Sequence, residues 1–237
     1  MMKRINSLIL TILFLSMPVY TTSASEDDLY NFTWLDKDKE VYVLQNRVFR
    51  KYNTVHFDIS GGLSTSGAFV SSNQIQGRLG YFFRESWGFE GIYSRNFGKE
   101  NNIATDVRNN GAGSGTIPFR RIVDSYAGAM VLWSPFYSKI NAFNKIFYMD
   151  WVLGVGFASL KETNNKPEVL VGGTSAERLT ESHSGLIWEL SGKFYLSRNW
   201  EIRTDLTAVH YSAEKAKEKT TATYSNWDFG IGIGYLF

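Results

Sequence analysis

The sequence predicts an all-β protein: an eight-stranded antiparallel up-and-down transmembrane β-barrel with a short N-terminal periplasmic extension. Three observations predict it. Apolar residues alternate with polar or small ones, at a period of two, in eight stretches after Asn53. The stretches run about nine to twelve residues, the length that crosses a bilayer at a tilt and longer than an average soluble strand. Their links alternate between short and long, and Trp87, Trp133, Trp200, Phe83 and Tyr195 gather at the short-link ends, where an interfacial girdle belongs.

The chain opens on an export signal. Lys3 and Arg4 precede the apolar run INSLILTILFLSM, and TTSAS supplies small residues for cleavage near Ala24 or Ser25. The run is short for a retained anchor, and no second run of about 18 apolar residues follows. Residues 1–24 read as a signal peptide, 25–53 as a periplasmic extension and 54–237 as the barrel. Removing the signal takes two of the 25 basic residues and none of the 23 acidic ones, so the remainder carries no net charge. Nucleic acid is therefore not an expected partner. With no cysteine, disulfides, thiol catalysis and a lipid-modified cysteine are excluded.

The first strand sets Val55, Phe57 and Ile59 against His56, Asp58 and Ser60. The second sets Ile75, Leu79, Tyr81 and Phe83 against Gln76, Arg78 and Arg84, and the third Trp87, Phe89 and Tyr93 against Glu90 and Ser94. Residues 122–133 are a strand of ambiguous facing. The fifth sets Phe147, Met149, Trp151, Leu153, Val155 and Phe157 against Asp150, Gly154 and Gly156. The sixth sets Leu186, Trp188, Leu190 and Phe194 against Glu189, Ser191 and Lys193, and the seventh Trp200, Ile202, Leu206 and Ala208 against Glu201, Arg203 and Asp205. The last strand, in SNWDFGIGIGYLF, sets Trp227, Phe229, Ile231, Ile233, Tyr235 and Phe237 against Asp228 and three glycines. The links expected to be long cover residues 63–73, 96–120, 159–184 and 212–224; residues 134–145 form an intermediate one. A soluble lipocalin-like barrel would alternate too, with shorter strands and the apolar faces turned inward.

With apolar faces in lipid, the interior holds Asp58, Arg78, Glu90, Asp150, Glu189, Lys193, Arg203, Asp205 and Asp228, mixed charges that should pair across a narrow lumen. Gly230, Gly232 and Gly234 either make room for long charged side chains of neighbouring strands or permit curvature. This interior fits a plug; a narrow ion or small-solute channel is the other reading of the lumen. His210 and Ser212, with Glu214 or Glu218 to orient the imidazole, form a third, hydrolytic candidate. No metal-ligand spacing and no cofactor motif appears. Trp227, Phe229, Ile231, Tyr235 and Phe237 resemble the terminal signal by which the barrel-assembly machinery recognises outer-membrane barrels, which implies that machinery as a partner. The other expected surroundings are outer-membrane lipid and lipopolysaccharide; residues 25–53 either pack as an ordered extension on the barrel mouth or dock a periplasmic partner.

LDKDKEVYVLQNRVFRK before the first strand resembles the leader of a family of small outer-membrane barrel proteins of myxobacteria and related predatory bacteria. WSPFYSKINAFNK, through Pro135, Tyr137, Lys139 and Asn144, and GKFYLSRNWEIRTDL resemble that family's turns. TAVHYS lacks the Arg-Asp pair often found there. The resemblance implies a barrel in the outer membrane and, for some members, a role in gliding motility. His210-Tyr211-Ser212 is similar to the His-x-Ser pair of outer-membrane lipid A deacylases, which implies lipid A hydrolysis; Ala213 and Glu214 depart from that family's following residues.

Overall fold

A computed structural model describes residues 47–110, 117–142, 145–171, 178–216 and 220–237. Eight strands follow one another: β1 (Thr54–Thr65), β2 (Val70–Phe82), β3 (Trp87–Glu100), β4 (Arg121–Ala142), β5 (Lys145–Asn164), β6 (Leu179–Tyr195), β7 (Trp200–Glu214) and β8 (Thr221–Leu236). Helices α1 (Asn102–Asn110) and α2 (Lys166–Val171) lie in the links after β3 and β5. Each strand pairs antiparallel with its sequence neighbour, and β1 pairs with β8, which closes the barrel. Closure leaves no strand with an unpaired edge, the condition for a sheet in lipid. No helix among the described residues is long and apolar enough to cross a membrane.

Alternation becomes two surfaces. Along β1, Val55, Phe57, Ile59 and Leu63 are exposed, whereas His56, Asp58 and Ser60 are buried. The same holds along β8, where Phe229, Ile231 and Ile233 face out and Asn226 and Asp228 face in. Large apolar side chains thus cover the outside, and charged ones sit inside, the reverse of a soluble barrel. Trp87 stacks on Trp133 at 6.2 Å and Trp200 meets Tyr235 edge-on at 5.0 Å, both on the outer face near the termini.

Several expectations are corrected. The strands run 12 to 22 residues, not nine to twelve, so β4, β5 and β6 extend well past the bilayer. Residues 63–73 hold only a tight turn at 66–69, because polar Ser64 and Ser72 continue the ladder as register partners. Residues 134–145 are mostly strand: β4 passes through Pro135 at an irregularity between Trp133 and Phe136, where the missing N–H is tolerated. Arg84 lies in the turn after β2 and is exposed, not interior. Met149 keeps the outward phase of Phe147 and Trp151 but is buried, and Tyr195 turns inward rather than joining the girdle.

The facing of β4 is also resolved. Tyr126, Met130 and Leu132 are buried inside, and Ala127, Ala129, Val131 and Trp133 face out. Both faces are apolar here because one side of the lumen is an oily wall of Ile92, Met130, Leu132, Val152, Leu160 and Ile187. A further register shift between Val123 and Ser125 breaks the period.

Candidate functional site: the barrel interior and its two mouths

The structure places Asp58, Arg78, Glu90, Asp150, Glu189, Lys193, Arg203, Asp205 and Asp228 inside the barrel, each no more than 2% exposed. Arg203 on β7 is the hub. Its Nη1 donates to Asp58 Oδ2 (3.1 Å) and Glu90 Oε2 (2.6 Å), and its Nη2 to Glu189 Oε1 (2.8 Å) and Ser191 Oγ (3.0 Å). Arg78 on β2 donates to Glu90 Oε1 (3.0 Å), Gln76 Oε1 (2.8 Å) and Thr207 Oγ1 (2.9 Å), and also pairs with Glu189. Lys193 donates to Glu201 Oε1 (2.6 Å), and His56 Nε2 lies 2.9 Å from Glu90 Oε2. Glu90 and Glu189 are thus shared between two guanidinium groups. A buried charge is costly unless paired, and this layer pairs its charges across five strands; Asp205 Oδ1 lies 3.4 Å from both Arg78 and Arg203 but accepts no hydrogen bond.

Asp228 stands apart from the guanidinium layer. It accepts from Tyr126 OH (2.6 Å), Asn226 Nδ2 (2.8 Å) and Gln76 Nε2 (3.1 Å), all neutral donors.

Small residues make the layer fit. Gly154 is the register partner of Glu189, Gly230 of Asp205, and Gly80 of His56. A Cβ on Gly154 would lie 2.6 Å from Glu189 Cγ. Gly232 serves a different purpose: a side chain there would strike the backbone of Ile59 and Ser60.

The mouth beside the termini is closed by residues just before β1. Lys51 Nζ lies 2.7 Å from Asp150 Oδ2 and donates to Ser134 Oγ at 2.6 Å. Tyr195 OH donates to the same Asp150 oxygen at 2.5 Å, and Phe49 stacks on the Tyr195 ring at 4.7 Å. Glu85 in the β2–β3 turn accepts from the backbone N–H groups of Lys51 (3.1 Å) and Tyr52 (2.9 Å). Asn53, at φ 60°, then bends the chain into β1. Sequence reasoning did not single out Lys51 and Phe49; Lys51 is one of several cations in a charged leader, beside Arg50, and carries no periodic signal.

The opposite mouth holds a second polar cluster, also missed. Glu162 of β5 is the register partner of Glu181 of β6, and His183 is two residues along the same strand. Arg121 pairs with Glu162 and, at 3.4 Å, with Glu181. Tyr211 OH donates to Glu162 Oε2 at 2.8 Å, and its ring stacks on His183 at 5.4 Å. The absence of metal-ligand spacing in the sequence reflects a reading of neighbours along the chain; here the neighbours lie across strands.

Among the described residues the hydrolytic set is not assembled; Glu218 lies outside them. Trp188 Nε1 donates to His210 Nε2 at 2.9 Å, and His210 Nδ1 lies 2.7 Å from Ser225 Oγ. An indole N–H can only donate, so Nε2 accepts and Nδ1 carries the proton. That tautomer cannot act as a base toward Ser225. Ser212 and Glu214 are exposed, and Glu214 accepts from Lys166 at 2.8 Å. His210 is instead one member of an outer-face aromatic group in which Trp188 meets Trp227 edge-on at 5.5 Å.

Of the expected assembly signal, Trp227, Phe229, Ile231 and Phe237 are exposed on the outer face, and Tyr235 is half-buried against Trp200 and Phe237.

A closed antiparallel cylinder, apolar outside and ionised inside, defines an outer-membrane β-barrel. Solved structures similar to the chain include the N-terminal β-barrel domain of Pseudomonas aeruginosa OprF, at 14% identity over 78% of this chain and 98% of that one, with a TM-score of 0.47. Neisserial surface protein A is similar at 14% identity over 78% and 96%, with a TM-score of 0.47. The outer membrane protein OprG from Pseudomonas aeruginosa is similar at 15% identity over 80% and 98%, with a TM-score of 0.41. No protein-family model and no curated protein matches the chain. These likenesses concern the fold, and the resemblance to the family of predatory bacteria rests on the quoted residues alone.

Proposed function

We propose that this is an integral outer-membrane barrel with a plugged polar interior, acting as a structural or interaction protein rather than as a pore or an enzyme. The observation that carries this reading is the Arg203 guanidinium, which bonds to carboxylates from β1, β3 and β6 and so bridges the lumen from wall to wall. An eight-stranded barrel has room for side chains inside and little else. The Lys51–Asp150 pair adds a second closure at one mouth.

An even number of strands puts both barrel ends on one side, which is periplasmic in this reading. The links carrying α1 and α2 then face outward, toward lipopolysaccharide and the cell's surroundings. Export with cleavage near residue 24, delivery by the assembly machinery, and a periplasmic partner for residues 25–53 belong to the same reading. Residues 1–46 lie outside the described part of the chain. The family resemblance adds an envelope-complex or motility setting, supported by the leader and turn residues quoted above.

Planar-bilayer recording of the purified protein tests the plug. The expected trace shows no steady unitary conductance; a reproducible conductance overturns the reading. Crosslinked envelopes from cells with and without residues 25–46 test the partner, whose capture should disappear with the segment.

A further inference from the structure

We propose that Glu162, Glu181 and His183 form a binding site for a divalent transition metal of the zinc type at the loop-end mouth of the barrel. The three side chains each bring one donor atom to a common point, all within 4.8 Å of one another. His183 Nε2 lies 3.3 Å from Glu162 Oε1 and 3.7 Å from Glu181 Oε2. Donors around a tetrahedral ion with bonds of about 2.0–2.2 Å stand roughly 3.3–3.6 Å apart.

The second observation is how His183 approaches these oxygens. Its Nε2 is shut off from solvent and makes no hydrogen bond, although a carboxylate oxygen lies 3.3 Å away. The nitrogen is not aligned on either oxygen as a hydrogen-bonded donor would be. The same two oxygens accept from Arg121 Nη1, so the imidazole and both carboxylates face one point that a cation already occupies. The surrounding groups hold the ligands in place: Tyr211 fixes Glu162 Oε2, Asn164 Nδ2 donates to Glu181 Oε2 at 3.0 Å, and the Tyr211 ring packs on the imidazole. Such supporting contacts typically set metal affinity by ten- to a hundredfold.

One imidazole with two carboxylates favours zinc, or cobalt in its place, over calcium, which takes six to eight oxygens. Glu181 and His183 are only partly buried, so an ion can reach them from the loop end. Arg121 contacts both carboxylates and competes with the ion, so Arg121→Gln should tighten binding.

The test uses the full-length barrel folded in detergent and stripped with a chelator. Zn²⁺ retained after gel filtration is expected at about one ion per chain, and Co²⁺ should give the strong visible absorption of a four-coordinate site. His183→Ala and Glu181→Gln should abolish stoichiometric retention while keeping native gel mobility. His210→Ala, on the outer face, should keep it. On the wild-type protein, Zn²⁺ should protect His183 from diethylpyrocarbonate, a readout that needs no variant to fold. No retained Zn²⁺, retention unchanged in His183→Ala, retention of Ca²⁺ but not Zn²⁺, or an unprotected His183 each overturns the proposal.

Discussion

Gly234 on β8 stands directly across from Glu201 on β7 and from Asp58 on β1. Both carboxylates lean into the space its missing side chain leaves; a Cβ there would meet Asp58 Oδ1 and lie 2.8 Å from Glu201 Cγ. A β-branched residue must therefore displace two buried charges. Gly234→Val should destabilise the barrel by about 3 kcal/mol or more, the upper range of overpacking with lost ion pairing added. Gly77 faces outward with nothing within 4 Å of an added Cβ, so Gly77→Ala should change stability by less than about 1 kcal/mol. Urea unfolding in detergent micelles compares the two, and equal losses would contradict the packing argument.

Arg203→Met removes the cation shared by Asp58, Glu90 and Glu189. Breaking a buried pair from one side costs about 3–5 kcal/mol, because the abandoned charge stays buried. Adding Glu90→Gln should recover part of that loss, since one fewer carboxylate is then unpaired. A double-mutant cycle on unfolding midpoints measures the coupling, and strictly additive losses would show that the two side chains do not act together.

Lys51→Met strands Asp150 at the mouth, leaving it only the Tyr195 hydroxyl. It should lower stability by a few kcal/mol, and Lys51→Met with Asp150→Asn should regain most of it. Neither should open a conductance, because the Arg203 layer still bridges the lumen. Recording both variants beside wild type separates the two closures. A conductance in Lys51→Met alone would make the mouth, not the layer, the seal.

Trp188→Phe keeps the ring but removes the donor to His210 Nε2. The expected cost is about 0.5–1.5 kcal/mol for one hydrogen bond. Ser212→Ala, at an exposed position, should fall within about 0.5 kcal/mol of wild type. Lipid A from cells carrying either variant, or His210→Ala, should have an unaltered mass spectrum. A changed acylation pattern in any of them would revive the hydrolytic reading.

The barrel was legible because its two faces differ so sharply: Phe57 beside Asp58, or Phe229 beside Asp228, leaves no doubt about phase. Legibility failed where that contrast vanished. Met130 and Leu132 line the lumen while Val131 and Trp133 face lipid, so β4 has no readable side. It failed again at strand ends, where Ser64, Ser72 and Lys139 are polar yet still paired, and polarity was mistaken for loop. The charged layer could be anticipated as a set, since each member sits on an inward phase. Which carboxylate meets which guanidinium could not, because pairing crosses strands far apart in sequence: Arg203 and Glu90 are separated by 113 residues. The Glu162–Glu181–His183 cluster was hidden for the same reason, two strands meeting through a register set by closure.

A substitution at Phe237 tests folding and the proposed recognition signal separately. Its ring is 71% exposed and touches Tyr235 at 4.8 Å, while its backbone N–H donates to Val55 O at 2.9 Å and so helps close β8 on β1. Phe237→Ala keeps that backbone bond and removes an outward-facing ring, so the folded barrel should lose less than about 1 kcal/mol. If the ring also serves as the terminal signal for the assembly machinery, outer-membrane levels of Phe237→Ala should drop severalfold in cells while the refolded protein unfolds at nearly the wild-type urea concentration. Ile233→Ala, equally outward-facing but inside the strand, controls for the loss of an apolar side chain. Normal outer-membrane levels of Phe237→Ala would refute the signal, and a matching loss of stability in vitro would reassign the ring to closure of the barrel.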